Sequence, residues 1–187
     1  MGTHMLREMD RVKKLVGALS DKVVDSVHQA VNAFERRDAS LAYRIIEQDI
    51  NIDHMEVDIE EECLKILALH QPVAHDLRFL VSVIKINNEL ERIADLAVNL
   101  AERAIFLDKY KLADKPAFNI VRMAELAQGM LRKALDALFN DNTRLAFEVR
   151  EMDDEVDEMH RQMYDFFKDE IRAHPEKVDY LIHYLSA

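Results

Sequence analysis

The sequence contains two related copies of one segment, and this internal repeat constrains the fold more than any other feature. Residues 41–55 and 145–159 lie 104 positions apart and are identical at six of fifteen positions. The similarity continues downstream, after a one-residue shift, to a proline in each copy, Pro72 and Pro175. Self-similarity at a fixed interval is typical of a repeated supersecondary unit. The chain is therefore predicted to fold as two tandem copies of one unit.

Each copy is predicted to be a bundle of three antiparallel helices, which makes the protein all-α. Apolar residues recur three and four positions apart, and the 187 residues include only three glycines and three prolines, so few turns are possible. Asp38 and Asn142 stand where helix N-caps are expected. The predicted helices cover residues 5–36, 39–69, 73–107, 116–140, 143–172 and 175 to the end.

The first three-helix repeat is assigned to residues 1–112 and the second to residues 113–187. The second repeat is predicted to be incomplete, with a truncated sixth helix, because Ala187 corresponds to Ile84 of the first copy. A shortened helix leaves apolar surface without its usual cover. We expect either a partner subunit to cover that surface, which favours a homodimer, or the chain to be part of a longer one.

Two pairs of acidic residues mark the second and third helices. Asp49 and Asp53 stand four residues apart, and Glu91 and Asp95 do the same, so each pair shares one helix face despite a small repulsion. Counted from Pro72, Asp53 lies 19 residues before the turn and Glu91 lies 19 after it, so antiparallel helices place the pairs level. Four facing carboxylates at low dielectric need a cation between them. Oxygen ligands of this kind suit hard ions such as Fe(III), Mn²⁺, Mg²⁺ or Ca²⁺.

The second copy carries an equivalent pair, Asp153 and Asp157, whose partners would fall near positions 193 and 197. A single acidic pair on a helix is most often solvated surface, and Arg92 and Arg103 could neutralise part of the charge. Three pairs at repeat-equivalent places favour metal or ion binding over that alternative.

The composition argues against several classes of protein. With 25 Lys and Arg against 36 Asp and Glu, the net charge of −11 argues against nucleic-acid binding. The single cysteine, Cys63, excludes an intramolecular disulfide and a cysteine-based zinc site, and its place on an apolar stripe predicts a core residue. An apolar run of 18 residues and a signal peptide are both absent, which predicts a cytoplasmic protein rather than an integral membrane protein.

Catalytic and histidine-based patterns are weak. No nucleophile stands beside a recognisable base, so we do not expect an enzyme. Ferritin-like di-iron sites need Glu followed by His three residues later, and the sequence has no such pair. His70, His75 and His174 flank the predicted turns and are expected to be exposed turn or capping residues.

Three motifs within this repeat pattern resemble the PhoU family. They are DINID (residues 49–53), the turn HQPVAHDLR (70–78) and LERIADLAVN (90–99). The resemblance implies six helices in two three-helix repeats and multinuclear metal clusters, with iron in some members and manganese, magnesium, zinc or calcium as alternatives. The metal contacts that it implies are Asp49, Asp53, Glu91, Asp95, Asp153 and Asp157. Because the second copy lacks its LERI-x-D segment, the resemblance leaves its cluster incomplete.

The resemblance also implies a regulatory function. Members of the family repress the phosphate-starvation response and limit phosphate uptake, acting between the ATPase subunit of the phosphate ABC transporter and a phosphate-sensing histidine kinase. The carboxylates alone allow a second hypothesis, a metal-buffering or storage module. A purely structural helical scaffold is a third.

Overall fold

The computed structural model describes residues 3–110 and 118–186, and this part of the chain is built from helices without strands. The six α-helices are α1 (Thr3–Arg36), α2 (Ala39–His70), α3 (Ala74–Asp108), α4 (Ile120–Phe139), α5 (Thr143–Ala173) and α6 (Val178–Leu185). The prediction of an all-α protein made of two three-helix repeats is confirmed.

The predicted helix boundaries agree with the structure to within two residues wherever they can be compared, except in the sixth helix. There, a single 3₁₀ turn, Pro175–Lys177, precedes the α-helix. The predicted start of the fourth helix, at residue 116, lies outside the described residues, as does the predicted boundary between the repeats at 112/113. None of the described helices is both long enough and apolar enough to span a bilayer.

Side chains of Asp38 and Asn142 cap α2 and α5, as predicted. Asp38 Oδ1 accepts a hydrogen bond from the amide of Leu41 at 2.9 Å, and Asn142 Oδ1 accepts one from the amide of Leu145 at 3.2 Å. Each cap satisfies a backbone N–H that has no partner within its own helix. The middle helix of each copy therefore begins at a position set by a short polar side chain.

The turn between α2 and α3 makes these two helices antiparallel neighbours. Gln71 adopts a left-handed conformation with φ of 45°, and its amide donates to the carbonyl of Leu67 at 3.2 Å. Pro72 has no N–H with which to continue the helix, and Val73 is extended. The tight reversal keeps residues that are equally distant from Pro72 at similar heights along the pair.

The first core lies between α1, α2 and α3, which pack against one another. The buried residues of α2 recur at helical spacing and are Ala42, Ile45, Ile52, Ile59, Cys63 and Ile66. Small residues dominate the facing part of α3, where Ala94, Ala97, Ala101 and Ala104 are buried and let the helices approach closely. Cys63 is fully buried, as predicted, and burial raises the pKa of its thiol to about 11.

The second copy packs onto the first at two places. Leu135 of α4 is buried in the same cluster as the core residues of α1, α2 and α3. Farther along the bundle, the ring of Tyr184 in α6 lies 4.6 Å from the ring of Phe34 in α1 and 5.8 Å from that of Phe167 in α5. Arg37 adds a polar link, because its Nη2 donates to the hydroxyl of Tyr180 at 2.8 Å. The two copies therefore share hydrophobic clusters.

We predict that Phe167→Ala destabilises the protein strongly. Phe167 is fully buried in the cluster to which both copies contribute, and truncating such a side chain costs about 3–5 kcal/mol in the free energy of unfolding. For a chain of this size, thermal unfolding should occur roughly 6–20 °C lower. The matched control is Phe147→Ala on the same helix, where the ring is 63% exposed and a change below about 0.5 kcal/mol is expected. Equal effects of the two substitutions would contradict this description of the interface.

Candidate metal centre

The inward face of α2 carries two acidic residues where the helix otherwise buries apolar ones. Asp49 and Glu56 stand seven residues apart in line with Ala42 and Cys63, which are both buried. Positions seven residues apart fall on nearly the same side of a helix. Burial of the apolar residues around them turns Asp49 and Glu56 towards α3, and both acids are partly buried.

α3 presents its own acidic pair beside this face. Glu91 is partly buried and follows the fully buried Leu90, whereas Asp95 is exposed and follows the buried Ala94. The core contacts of Leu90 and Ala94 fix the rotation of α3 about its axis. That rotation places Glu91 and Asp95 at the edge of the interface with α2.

The four predicted acids of the first copy come close enough to perturb one another. The pKa of the Asp49 carboxyl is raised to about 6, and partial burial is the largest cause of this rise. The negative charges of Asp53, Asp95 and Glu91 add to that rise. Burial also raises the pKa of Glu91, with further contributions from Asp95 and then Asp53. The structure thus brings the acids of α2 and α3 together at one level of the bundle.

One oxygen of this group is buried and has no hydrogen-bond partner among the described residues. It is Oδ1 of Asp49. A buried carboxylate oxygen without a partner loses its hydration and gains nothing in exchange, which is unfavourable unless a cation binds it. The residues present therefore fit a bound cation with a preference for oxygen ligands.

The acids lie along the α2–α3 interface rather than around a single point. Within the described part of the chain, no three of them bring one oxygen each to within 4.8 Å of one another. Carboxylates without a neutralising charge repel one another. A cation would have to draw these side chains inwards, or several cations would have to share them.

Sequence reasoning missed Glu56, which extends the acidic group by one turn of α2. Burial raises the pKa of Glu56, and the charges of Glu60, Glu91 and Asp53 add to the effect. The signal was available in the sequence, because Glu56 repeats the position of Asp49 after seven residues on an apolar face.

Asn87 of α3 holds Glu56 in place. Its side-chain amide is fully buried and donates to the Glu56 carbonyl at 2.8 Å and to Glu56 Oε1 at 3.2 Å. A buried amide costs free energy unless it is hydrogen-bonded. The pair therefore ties the acidic face of α2 to α3.

The predicted residues of the second copy are not part of this group. Asp153 and Asp157 are both exposed on α5. In the described part of α6 the only acid is Asp179, near the start of the helix. The four acids of the first copy therefore lie along the α2–α3 interface, whereas the described part of α6 carries no acidic pair to set against Asp153 and Asp157.

Comparisons with known proteins identify a family that shares both the sequence and the fold. Residues 16–104 and 120–187 match the family model described as the PhoU domain. A protein of Aquifex aeolicus, named phosphate-specific transport system accessory protein PhoU homolog, is 36% identical over 159 residues, which are 85% of this chain and 72% of that protein. A Thermotoga maritima protein, named phosphate-specific transport system accessory protein PhoU homolog 1, is 30% identical over 169 residues. These residues are 90% of this chain and 73% of the Thermotoga protein.

A solved structure gives the same result. The crystal structure of PhoU from Pseudomonas aeruginosa superposes with a TM-score of 0.90 at 31% sequence identity. The match covers 96% of this chain and 86% of that one.

We predict that removing the charge of Asp49 stabilises the metal-free protein. Because the folded pKa, about 6, lies above the usual value of 3.8, ionisation of Asp49 opposes folding. This cost is absent below pH 4, grows as the pH rises through 4–6 and is complete above about pH 7. After allowance for solvent screening, Asp49→Asn should raise the free energy of unfolding by about 1–2 kcal/mol at pH 7.5, with chelator present.

The measurement is denaturant unfolding of both proteins between pH 4 and 7.5. The advantage of Asp49→Asn should shrink as the pH falls. Asp58→Asn, at an exposed acid on the opposite side of α2, is the control and should change stability little at any pH. Destabilisation by Asp49→Asn in chelator would show that the carboxylate makes a favourable contact within the protein itself.

Proposed function

Because the chain belongs to the PhoU domain family, we propose that it is a regulatory accessory protein of phosphate-specific transport. The relatives from Aquifex aeolicus and Thermotoga maritima carry that description in their names and share about a third of their residues with this chain. The agreement in fold over nearly the whole chain supports the same inference. Membership of the family is the observation on which the proposal rests.

More specifically, we propose that the protein links the ATPase subunit of the phosphate transporter to a phosphate-sensing histidine kinase and represses the starvation response. Such an adaptor needs surface for protein partners. Four apolar side chains supply it on the outer side of α2, at intervals of seven residues and each half exposed or more: Tyr43, Ile50, Val57 and Leu64. Exposed apolar residues that share one side of a helix offer contact surface to a protein partner.

We further propose that the acidic group of the first copy holds metal ions that stabilise the bundle. The residues that would bind them are Asp49, Asp53, Glu91 and Asp95, with Glu56 beside them. A cation there would neutralise charges whose repulsion otherwise opposes folding. The unpartnered oxygen of Asp49 supports this proposal most directly.

Elemental analysis of the purified protein tests the metal proposal. We expect a small fixed number of ions per chain, and a storage module would instead load many. Asp49→Asn combined with Asp95→Asn should abolish the content of hard ions such as iron, manganese, magnesium and calcium, because it removes one oxygen ligand from each helix. Asp153→Asn with Asp157→Asn is the matched control and should leave the content unchanged. Unchanged metal in the first double variant would eliminate the site.

Affinity capture tests the adaptor proposal. The immobilised protein should retain the transporter ATPase subunit and the sensor kinase of its own organism when each is supplied in purified form. Ile50→Ser with Val57→Ser should reduce retention at least about tenfold if the outer row of α2 forms the interface. Leu96→Ser is a suitable control, because this side chain is 62% exposed on α3 and lies outside the row. Failure to retain either partner would refute the adaptor proposal.

A further inference from the structure

A second group of side chains with metal-ligand chemistry lies near the α2–α3 turn. It shares no residue with the acidic group. It consists of His4 and Glu8, four residues apart on α1, and His70, the last residue of α2. One ligand atom from each of the three lies within 4.8 Å of the other two. The described residues contain no other set of three that meets this condition.

The contacts within the cluster are short. His70 Nε2 lies 2.5 Å from Glu8 Oε2, and His4 Nδ1 lies 3.4 Å from Glu8 Oε1. The centroids of the two imidazole rings are 5.9 Å apart, and each ring contacts a different oxygen of the carboxylate. Residues four apart on a helix face the same way, so α1 supplies two ligands and α2 the third.

The environment of Glu8 favours a charged carboxylate at this position. Glu8 is only 9% exposed, and the hydrogen bond to His70 is the main cause that holds its pKa below the usual value. Lys65 Nζ lies 3.8 Å from Glu8 Oε1 but is closer to Glu62 Oε1, at 3.2 Å. A cation at Glu8 could therefore displace Lys65 without leaving this lysine unpaired.

His70 differs from the expectation drawn from its place beside a turn. The side chain is 24% exposed rather than free in solvent, because Glu8 of the neighbouring helix binds it. His75 and His174 are exposed, as predicted. The difference arises from α1, which passes beside the turn and brings Glu8 to it.

We propose that His4, Glu8 and His70 form a binding site for a divalent transition metal ion of the zinc type. Two imidazoles and one carboxylate are the ligand set that Zn²⁺ accepts, with a fourth position left for water. Hard ions prefer oxygen ligands alone, so this site and the acidic group differ in the ions they select. The ion takes the place of the His70–Glu8 hydrogen bond, whose proton passes to solvent, and it connects the start of α1 to the end of α2.

Titration of the chelator-treated full chain with Co²⁺ tests the site, because Co²⁺ bound to nitrogen and oxygen ligands in low coordination absorbs visible light. We expect one equivalent of Co²⁺ to produce these bands and one equivalent of Zn²⁺ to abolish them. Zn²⁺ should also raise the unfolding temperature. Glu8→Gln and His70→Gln should each weaken binding at least about tenfold.

Controls separate this site from its surroundings. His75→Gln removes a histidine from the same turn and should leave binding within twofold of the parent. Asp49→Asn with Asp95→Asn should keep the cobalt bands, whatever happens to metal at the acidic group. Should Glu8→Gln fail to fold, as judged by circular dichroism, His4→Gln replaces it, since the His4 side chain is 78% exposed and contributes little to packing.

Three results would overturn the proposal. The first is the absence of cobalt bands in the parent protein. The second is binding by the His4, Glu8 and His70 variants that stays within twofold of the parent. The third is loss of the bands in the Asp49 and Asp95 double variant alone, which would assign the ion to the acidic group.

Discussion

Repulsion between carboxylates at the α2–α3 interface opposes the packing of the apolar residues around them. Asp49 faces inward with its neighbours Ile45 and Ile52, so it cannot leave the interface unless these residues leave the core. Burial of each isoleucine contributes roughly 1.5–3 kcal/mol, which is enough to hold a carboxylate in an unfavourable position. Packing of the apolar residues therefore holds several carboxylates close together. Their mutual repulsion is reduced only when a cation or a proton binds.

Contacts at both ends of the helix pair hold the α2–α3 interface in position. Near the turn, Glu8 of α1 binds His70 at the end of α2. Towards the opposite end, Phe34 of α1 packs against Tyr184, and α6 also contacts α3. Since α1 touches both other helices of its bundle along its length, it restrains their separation. Acidic side chains held by such a frame remain close together even before an ion binds.

Within the described residues, the acidic pairs of the two copies lie in different surroundings. In the first copy, the acids of the middle helix lie against a long third helix that carries acids of its own. In the second, Asp153 and Asp157 are exposed, and the aromatic residues of α5 and α6 instead form a shared cluster with α1. The second copy thus contributes mainly packing to the described structure, while the first gathers the charges. The row of apolar residues on the outer side of α2 places the proposed partner surface on that same first copy.

The sequence specified the helices, the repeat and the relative height of the acidic pairs, because these depend on local spacing, on capping by Asp38 and Asn142, and on the turn at Pro72. It also indicated that Asp49, Asp53, Glu91 and Asp95 belong together. Which acids are buried could not be predicted from the sequence, since burial depends on how α2 and α3 rotate against each other. The tertiary structure also added Glu56 to the acidic group, placed the Asn87 amide against Glu56 and brought Glu8 to His70. These are contacts between residues distant along the chain, which neither periodicity nor turn chemistry can specify.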